Sequence, residues 1–138
     1  MANSTQQALA NDILNWYKGT AFPAANADLY VALLTTAPSD NAGTGLVECT
    51  DGAYARQPIA SGGWSAISQA SDHAHQQISN SAAIDFPAVS GTAYTVNGLA
   101  LYTALTGGTL MEAQSVTGQS VATGNAYTMA IGAFLIQK

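Results

Sequence analysis

The segment from Asp28 to Thr36 constrains the fold more than any other part of the sequence. Between Leu29 and Leu34 the side chains are apolar at odd and even positions alike. Successive side chains of a strand point to opposite faces of a sheet, so a strand of this kind needs cover on both faces. Pro38 follows closely and cannot donate the hydrogen bond that would extend the ladder. We therefore expect a central strand here.

Further short strand-like segments follow and are separated by turn residues. The sequence predicts strands at 53–59, 64–68, 76–80, 83–86, 94–103, 109–116 and 126–136, with a long turn-rich loop at 38–52. Pro58 places its strand at a sheet edge, Gly98 indicates a bulge, and Gly107-Gly108 forms a hairpin turn. About six to eight short strands at this spacing predict an antiparallel β-sandwich.

The N-terminal segment predicts one amphipathic α-helix over residues 4–18. Ser4 and Gln7 have the spacing of a capping box, and Gly19 is placed to end the helix. Apolar side chains at helical spacing form one stripe, which consists of Leu9, Ile13, Trp16 and Tyr17. Because an isolated helix of about 14 residues is marginally stable in water, it must dock on a sheet or on another subunit.

The length of 138 residues corresponds to one domain with a single core. We therefore predict one mainly β domain over 1–138, in which the N-terminal helix precedes a β-sandwich over 28–138. The only cysteine, Cys49, excludes an intrachain disulfide. No basic region followed by an apolar stretch opens the sequence, so we expect no secretory signal.

Charged residues are scarce and mostly acidic. The chain contains 3 Lys and Arg against 8 Asp and Glu, which gives a formal net charge of −5. Nucleic acids and anionic membranes are bound by clustered cations, which this sequence lacks. No apolar run approaches the ~20 residues of a membrane-spanning helix. We therefore expect neither nucleic-acid binding nor membrane insertion.

One cluster carries metal-ligand side chains, at Asp72-His73-Ala74-His75. On a strand, His73 and His75 would point to the same face, as two imidazoles on one zinc ion would require. The sequence shows no third or fourth ligand nearby, and the alternative interpretation is a solvated polar loop. We therefore predict no bound metal ion.

Cys49 is the one candidate for a catalytic nucleophile. It follows Glu48 and precedes Asp51, and acidic neighbours disfavour the reactive thiolate. The alternative is an incidental thiol in a loop or in the core. Since no paired carboxylates or phosphate-binding loop appear either, we predict no catalytic residue and no cofactor, and expect that the protein is not an enzyme.

Arg56 is the only arginine in this acidic chain. We expect it to form a bidentate pair with a carboxylate, within the chain or across subunits; the alternative is an exposed strand residue. The aromatic residues could form a sugar-stacking platform, although such residues more often belong to cores and interfaces. The predicted interface residues are Leu9, Ile13, Trp16, Tyr54, Arg56 and Trp64.

The order of several short segments is characteristic. After the helix come Leu29–Pro38, Gly43-Thr-Gly45 with Glu48, Gly52–Arg56, Ile84–Ala88, Asn97–Ala104, Gly107–Leu110 and a final apolar strand. In this order, from about residue 5 to 136, the chain resembles a family of small virion structural proteins of tailed phages. The family includes capsid cement or decoration proteins and similar proteins often labelled tail-fibre proteins.

The resemblance implies a structural role on the virion after synthesis in the host cytoplasm, with no catalytic residues. The expectation that we favour is a capsid cement protein: a homotrimer on the outer capsid surface that binds the major capsid protein and stabilises the shell. The alternative is a tail-fibre or baseplate component that contacts other tail proteins or a host-surface glycan. The number of copies per particle separates the two, since hundreds imply cement and tens imply a tail part.

Overall fold

The computed structural model describes residues 4–5, 7–39 and 45–138. The chain is mainly β, with one α-helix, α1, at Gln7–Tyr17 and a short 3₁₀ turn at Ser61–Gly63. The strands are β1 Ser4–Thr5, β2 Asp28–Leu34, β3 Gln57–Ala60, β4 Ser68–Gln69, β5 Gln76–Ser79, β6 Ile84–Asp85, β7 Tyr94–Tyr102, β8 Leu110–Val121, β9 Thr128–Met129 and β10 Leu135–Gln137.

The strands form three antiparallel sheets, which confirms the predicted mainly β, sandwich-like fold with one N-terminal helix. The five-stranded sheet has the order β1-β8-β7-β2-β3, and the smaller sheets have the orders β10-β5-β4 and β6-β9. One face of the large sheet packs into the main core. That core includes Val31, Leu33, Leu99, Leu101, Met129 and Phe134.

The prediction of a central strand at 28–36 is confirmed by β2, which pairs with β3 on one side and with β7 on the other. Its residues Val31 to Leu34 have no solvent exposure. The alternate side chains Ala32 and Leu34 point away from the main core and form a second buried cluster with Ala100 and Ala113. The apolar character of both faces of β2 therefore follows from burial of both faces of the sheet.

Three turn and edge predictions are confirmed. The strand that contains Pro58 lies at the edge of the large sheet. The register between β7 and β8 shifts between Val96 and Gly98, as expected for a bulge. Gly107 and Gly108 connect these strands with φ angles of 63° and 75°, a conformation that glycine adopts without steric cost.

We expect Gly98→Ala to lower the free energy of unfolding by about 1–3 kcal/mol, because the site has no room for a methyl group. A Cβ atom there would lie 2.8 Å from Pro38 Cδ and 3.1 Å from the Gln114 carbonyl oxygen. Gly62→Ala is the control, since its Cβ would meet nothing within 4 Å. Urea denaturation of both variants tests the prediction, and equal stabilities would contradict it.

The predicted start of the helix is wrong. Helix α1 begins at Gln7, whereas Ser4 and Thr5 form β1 and pair with Ala113 and Glu112 of β8. Strand pairing with a distant segment thus replaces the expected capping box. The expected helix end is confirmed at Gly19, which has a φ angle of 85° and donates to the Trp16 carbonyl oxygen.

The predicted long strand at 126–136 is also wrong. The structure divides it into β9, which pairs with β6, and β10, which pairs with β5. Between them the chain turns at Gly132, with a φ angle of 76°. The buried Asn80 amide donates to the Ala130 carbonyl oxygen at 2.9 Å and accepts from the Phe134 N–H at 2.9 Å, and these two bonds hold the turn.

Candidate functional site

The guanidinium group of Arg56 lies at the centre of a polar cluster. It donates from Nε and Nη2 to the two carboxylate oxygens of Glu48, at 2.8 Å each. Its Nη1 donates to the carbonyl oxygens of Ala104 at 2.9 Å and Gly107 at 2.7 Å. The guanidinium carbon lies 3.7 Å from the centre of the Tyr102 ring. The predicted bidentate pair is therefore confirmed, and it forms within the chain.

The loop before Arg56 brings Glu48 into position. It runs back along β2, where the Thr35 N–H donates to the Val47 carbonyl oxygen and the Cys49 N–H donates to the Leu33 carbonyl oxygen. Residues 40–44 of the predicted loop 38–52 lie outside the described residues. Glu48 forms a bridge with Leu34, so this loop continues along the edge of β2 past the end of β3. Arg56 then connects the Glu48 carboxylate to the hairpin turn between β7 and β8.

Tyr54 completes the cluster. Its hydroxyl group donates to Glu48 Oε1 at 2.7 Å and accepts from the Leu33 N–H at 3.1 Å. Its ring stacks on Phe86 with an interplanar angle of 4°. Glu48, Tyr54, Arg56 and Tyr102, here called the arginine cluster, therefore join β2, the loop and the β7–β8 turn.

The arginine cluster keeps its charges at neutral pH. Burial raises the pKa of the Glu48 carboxyl, but hydrogen bonds from Arg56 and Tyr54 outweigh that effect and hold the pKa below its usual range. The hydrogen bond with Glu48 raises the pKa of Arg56 despite burial. Burial and the bond to Glu48 raise the pKa of Tyr54. Glu48 therefore stays ionised while Arg56 and Tyr54 keep their protons, and the cluster acts as a structural joint.

A cleft of about 480 Å³ lies beside the arginine cluster, and its lining includes Glu48, Cys49, Leu105 and Gly107. Cys49 itself is 5% exposed and belongs to the main core. Of the two alternatives to a nucleophile, a loop thiol and a core thiol, the structure places Cys49 in the core, and its lack of a catalytic role stays a prediction. The groups around this cleft are already bonded to one another, so they offer few free polar contacts to a ligand.

A second polar joint is formed by Asp51. Its carboxylate accepts from the backbone N–H groups of Ala53 at 3.1 Å, Ser90 at 3.0 Å and Gly91 at 2.7 Å. The Ser90 N–H bond has the largest effect and lowers the pKa of this carboxyl; desolvation opposes it, and the bonds from Gly91 and Ala53 lower the pKa further. Asp51 thus ties the loop before β3 to the loop before β7.

Because the folded state lowers the pKa of Asp51, its stabilising effect is present above the usual value of 3.8 and is lost as the pH falls through the lower folded value. We expect Asp51→Asn to be less stable than the wild type at neutral pH and to approach it near about pH 2. Urea midpoints at both pH values test this. Asp85→Asn is the control, and a difference that is independent of pH would contradict the prediction.

The Asp72-His73-Ala74-His75 segment forms a turn, as in the interpretation of a polar loop, and not the strand on which both imidazoles would share one face. His73 has a φ angle of 57°, and Asp72 Oδ1 accepts from the N–H groups of Ala74 and His75 at 2.9 and 3.1 Å. His75 Nδ1 also contacts Asp72 Oδ2. Across residues 4–5, 7–39 and 45–138, no three His, Cys, Asp or Glu side chains converge in a way that could hold a metal ion.

The predicted interface residues fall into two groups. Tyr54 and Arg56 belong to the arginine cluster, and Trp64 is half-buried with its ring edge-to-face on Phe134 at 6.4 Å between ring centres. These three side chains contact other parts of the same chain, and their role at an interface stays a prediction. Leu9 and Ile13 are half-buried on α1, whereas Trp16 is 56% exposed.

Trp16 lies in a larger apolar surface. Leu14 is 60% exposed, Tyr17 76% and Phe22 47%, and the Trp16 ring lies 5.3 Å from Tyr17 and 6.4 Å from Phe22 between ring centres. Leu14, Trp16, Tyr17 and Phe22 are here called the helix patch. Leu14 and Phe22 were not among the predicted interface residues, because Leu14 lies off the apolar stripe and Phe22 follows the helix end.

A groove of about 650 Å³ adjoins the helix patch. It lies between α1, the segment 22–26 and the end of the large sheet, and Phe22 lies at its boundary with the patch. Its lining is mostly apolar and includes Leu9, Asp12, Ala24, Leu29 and Met111. We call it the helix groove.

An ion pair between a buried carboxylate and an exposed ammonium group was not predicted from the sequence. Glu112 of β8 is 2% exposed, and Lys138 Nζ lies 2.7 Å from its Oε1. Burial raises the pKa of Glu112, and the ammonium group of Lys138 opposes the shift. Lys138 also exchanges backbone hydrogen bonds with Gln76, the first residue of β5, so the pair links the large sheet to the three-stranded sheet. A charged residue among the apolar residues that begin β8, Leu110, Met111 and Ala113, was the available signal.

Comparison with known proteins identifies one family. A family model described as "Podophage GP4 fiber I protein gp80" matches residues 4–137, which include α1 and every strand from β1 to β10. A search of curated proteins finds no match.

In the part of the chain that the structure describes, no helix has the length and apolarity needed to cross a membrane.

Proposed function

Since this chain belongs to the family of the Podophage GP4 fiber I protein gp80, we propose that it is a subunit of a fibre on the phage particle. As a member of this family, the chain is a bacteriophage structural protein that is located on the virion. The match over residues 4–137 is the observation that carries the fibre role, because it covers the whole described fold.

The geometry supports a structural rather than a catalytic role, and we propose that the protein is not an enzyme. The principal charged side chains are engaged in joints between segments: Arg56 with Glu48, Lys138 with Glu112, and Asp51 with backbone N–H groups. The helix patch, by contrast, exposes aromatic side chains, which are enriched at protein interfaces.

The proposed partners are further copies of this chain, as a homotrimer, and other tail proteins. The role expected first from the sequence, a cement protein bound to the major capsid protein, stays a prediction. The same holds for contact with a host-surface glycan. Copy number and position on the particle distinguish fibre from cement.

The test is to quantify this chain in purified particles by peptide mass spectrometry, relative to the major capsid protein. We expect tens of copies per particle, and gold-labelled antibodies on the appendages at the tail. Hundreds of copies spread over the shell would overturn the fibre proposal in favour of the cement role. Absence of the chain from washed, infectious particles would overturn both.

A further inference from the structure

The apolar stripe of α1 is covered along only part of its length. Leu9 and Ile13 are half-buried against the rest of the fold, whereas Trp16 and Tyr17, on the same stripe, are 56% and 76% exposed. No residue of α1 in the described range is fully buried. The fold of one copy therefore leaves the C-terminal half of the stripe uncovered.

The helix has little else to stabilise it. It spans 11 residues, with no acidic residue in its first turn and no basic residue in its last turn. Isolated helices shorter than ~12–15 residues are marginal in water, and most helical stability in proteins comes from packing of the apolar face. The helix patch therefore needs a covering surface for α1 to be firmly held.

We propose that the helix patch of one copy packs into the helix groove of the next copy of the same chain. This inference deepens the proposed fibre role, on which it rests for its place in the virion, and names the contact through which copies assemble. Each copy supplies both halves of the contact: projecting side chains at Leu14, Trp16 and Tyr17, and an apolar groove of about 650 Å³ beside them.

The available area favours a second copy as the occupant. A buried aromatic side chain covers about 150–250 Å², so the exposed fractions of the helix patch sum to about 500 Å². The walls of the helix groove offer less area than this, so one contact alone lies below the ~1,000 Å² of a stable specific interface, and a second copy, which brings two such contacts, is favoured over a single-site partner. Contacts on both sides of every copy then add to the stability of the assembly.

The charges are also complementary. Between residues 7 and 27 the sequence contains only two charged side chains, Asp12 and Lys18. Asp12 lines the helix groove, whereas Lys18 is exposed directly after Tyr17 of the helix patch. When the patch of one copy enters the groove of the next, the ammonium group of Lys18 approaches the neighbour's carboxylate at Asp12.

Leu14, Trp16 and Tyr17 lie outside the helix groove, which shares only Phe22 with the helix patch, and the proposed contact is head-to-tail. Head-to-tail contacts form a closed ring when the rotation between copies closes, and a filament when it does not. The proposed homotrimer is a ring of this kind, with three identical contacts. A two-fold dimer would instead bury the same surface of both copies.

The first experiment measures the mass of the full chain by light scattering over a concentration series. We expect a species of three times 14.1 kDa, and Tyr17→Glu should weaken association about 30-fold or more, as when an interface hot spot is lost. Ile67→Glu is the matched control, because Ile67 is 75% exposed outside the patch. A monomeric wild type, or equal effects of both substitutions, would overturn the proposal.

The second experiment tests the head-to-tail geometry by mixing two variants. Tyr17→Glu disables the patch, and Ala24→Glu, at an exposed position on the groove wall, disables the groove. Each variant alone should be monomeric, whereas the mixture should form a heterodimer through the one intact contact. Monomers alone in the mixture would overturn the geometry. Copy number on the particle is unaffected by this result, so failure of the contact and failure of the fibre role are distinguishable.

Discussion

Replacing Arg56 with methionine is expected to lower the free energy of unfolding by about 2–4 kcal/mol. The substitution leaves the Glu48 carboxylate without its bidentate donor and removes the donor to the Ala104 and Gly107 carbonyl oxygens. Arg56 is 9% exposed and Glu48 28%, so water replaces these bonds only in part. Urea denaturation monitored by circular dichroism measures the loss.

Lys18→Met is the matched control when both substitutions are made in the Tyr17→Glu background, which disables the proposed contact, because there it removes a cation of the same charge from an exposed position. Glu48→Gln and the double variant complete a cycle that isolates the interaction between the two side chains. If Arg56→Met were no less stable than Lys18→Met, the arginine cluster would not be the joint that its geometry indicates. The effect is expected in monomers and oligomers alike, because the bidentate partner lies within the chain.

Phe134→Ala is expected to lower the free energy of unfolding by about 3–5 kcal/mol. Phe134 has no solvent exposure, contacts Trp64 edge-to-face and belongs to the main core. Its truncation therefore leaves a cavity in that core. The control is Ile131→Ala, three residues earlier, where the side chain is 68% exposed. Thermal and urea unfolding of the two variants should differ clearly, and similar values would contradict the assigned core.

Features set by a few neighbouring residues could be predicted from the sequence. Burial of both faces of β2 follows from its uninterrupted apolar run, and the turn at Gly107-Gly108 follows from glycine's tolerance of positive φ angles. The pairing of Arg56 with a carboxylate could be predicted because Arg56 is the only arginine in an acidic chain. The identity of that carboxylate, Glu48, depends on a loop that folds back on β2.

Features set by distant partners could not be predicted. The predicted start of the helix at Ser4 is wrong because Ser4 pairs with β8, more than 100 residues away along the chain. The predicted strand at 126–136 is wrong because hydrogen bonds from Asn80 hold a turn that divides this segment into β9 and β10. The helix patch was anticipated only in part. Periodicity identifies an apolar stripe, but it does not show how much of that stripe the rest of the chain covers.

The order of strands in the large sheet bears on how the protein folds during synthesis. The neighbour of β2 on its inner side is β7, which begins 60 residues after β2 ends, and β7 in turn needs β8. Until both have left the ribosome, the apolar β2 segment has no inner partner and is an aggregation hazard. Pairings so distant along the chain also slow folding. Folding of the sheet therefore waits for synthesis of most of the chain, and host chaperones that shield exposed β segments should increase the yield of folded subunits.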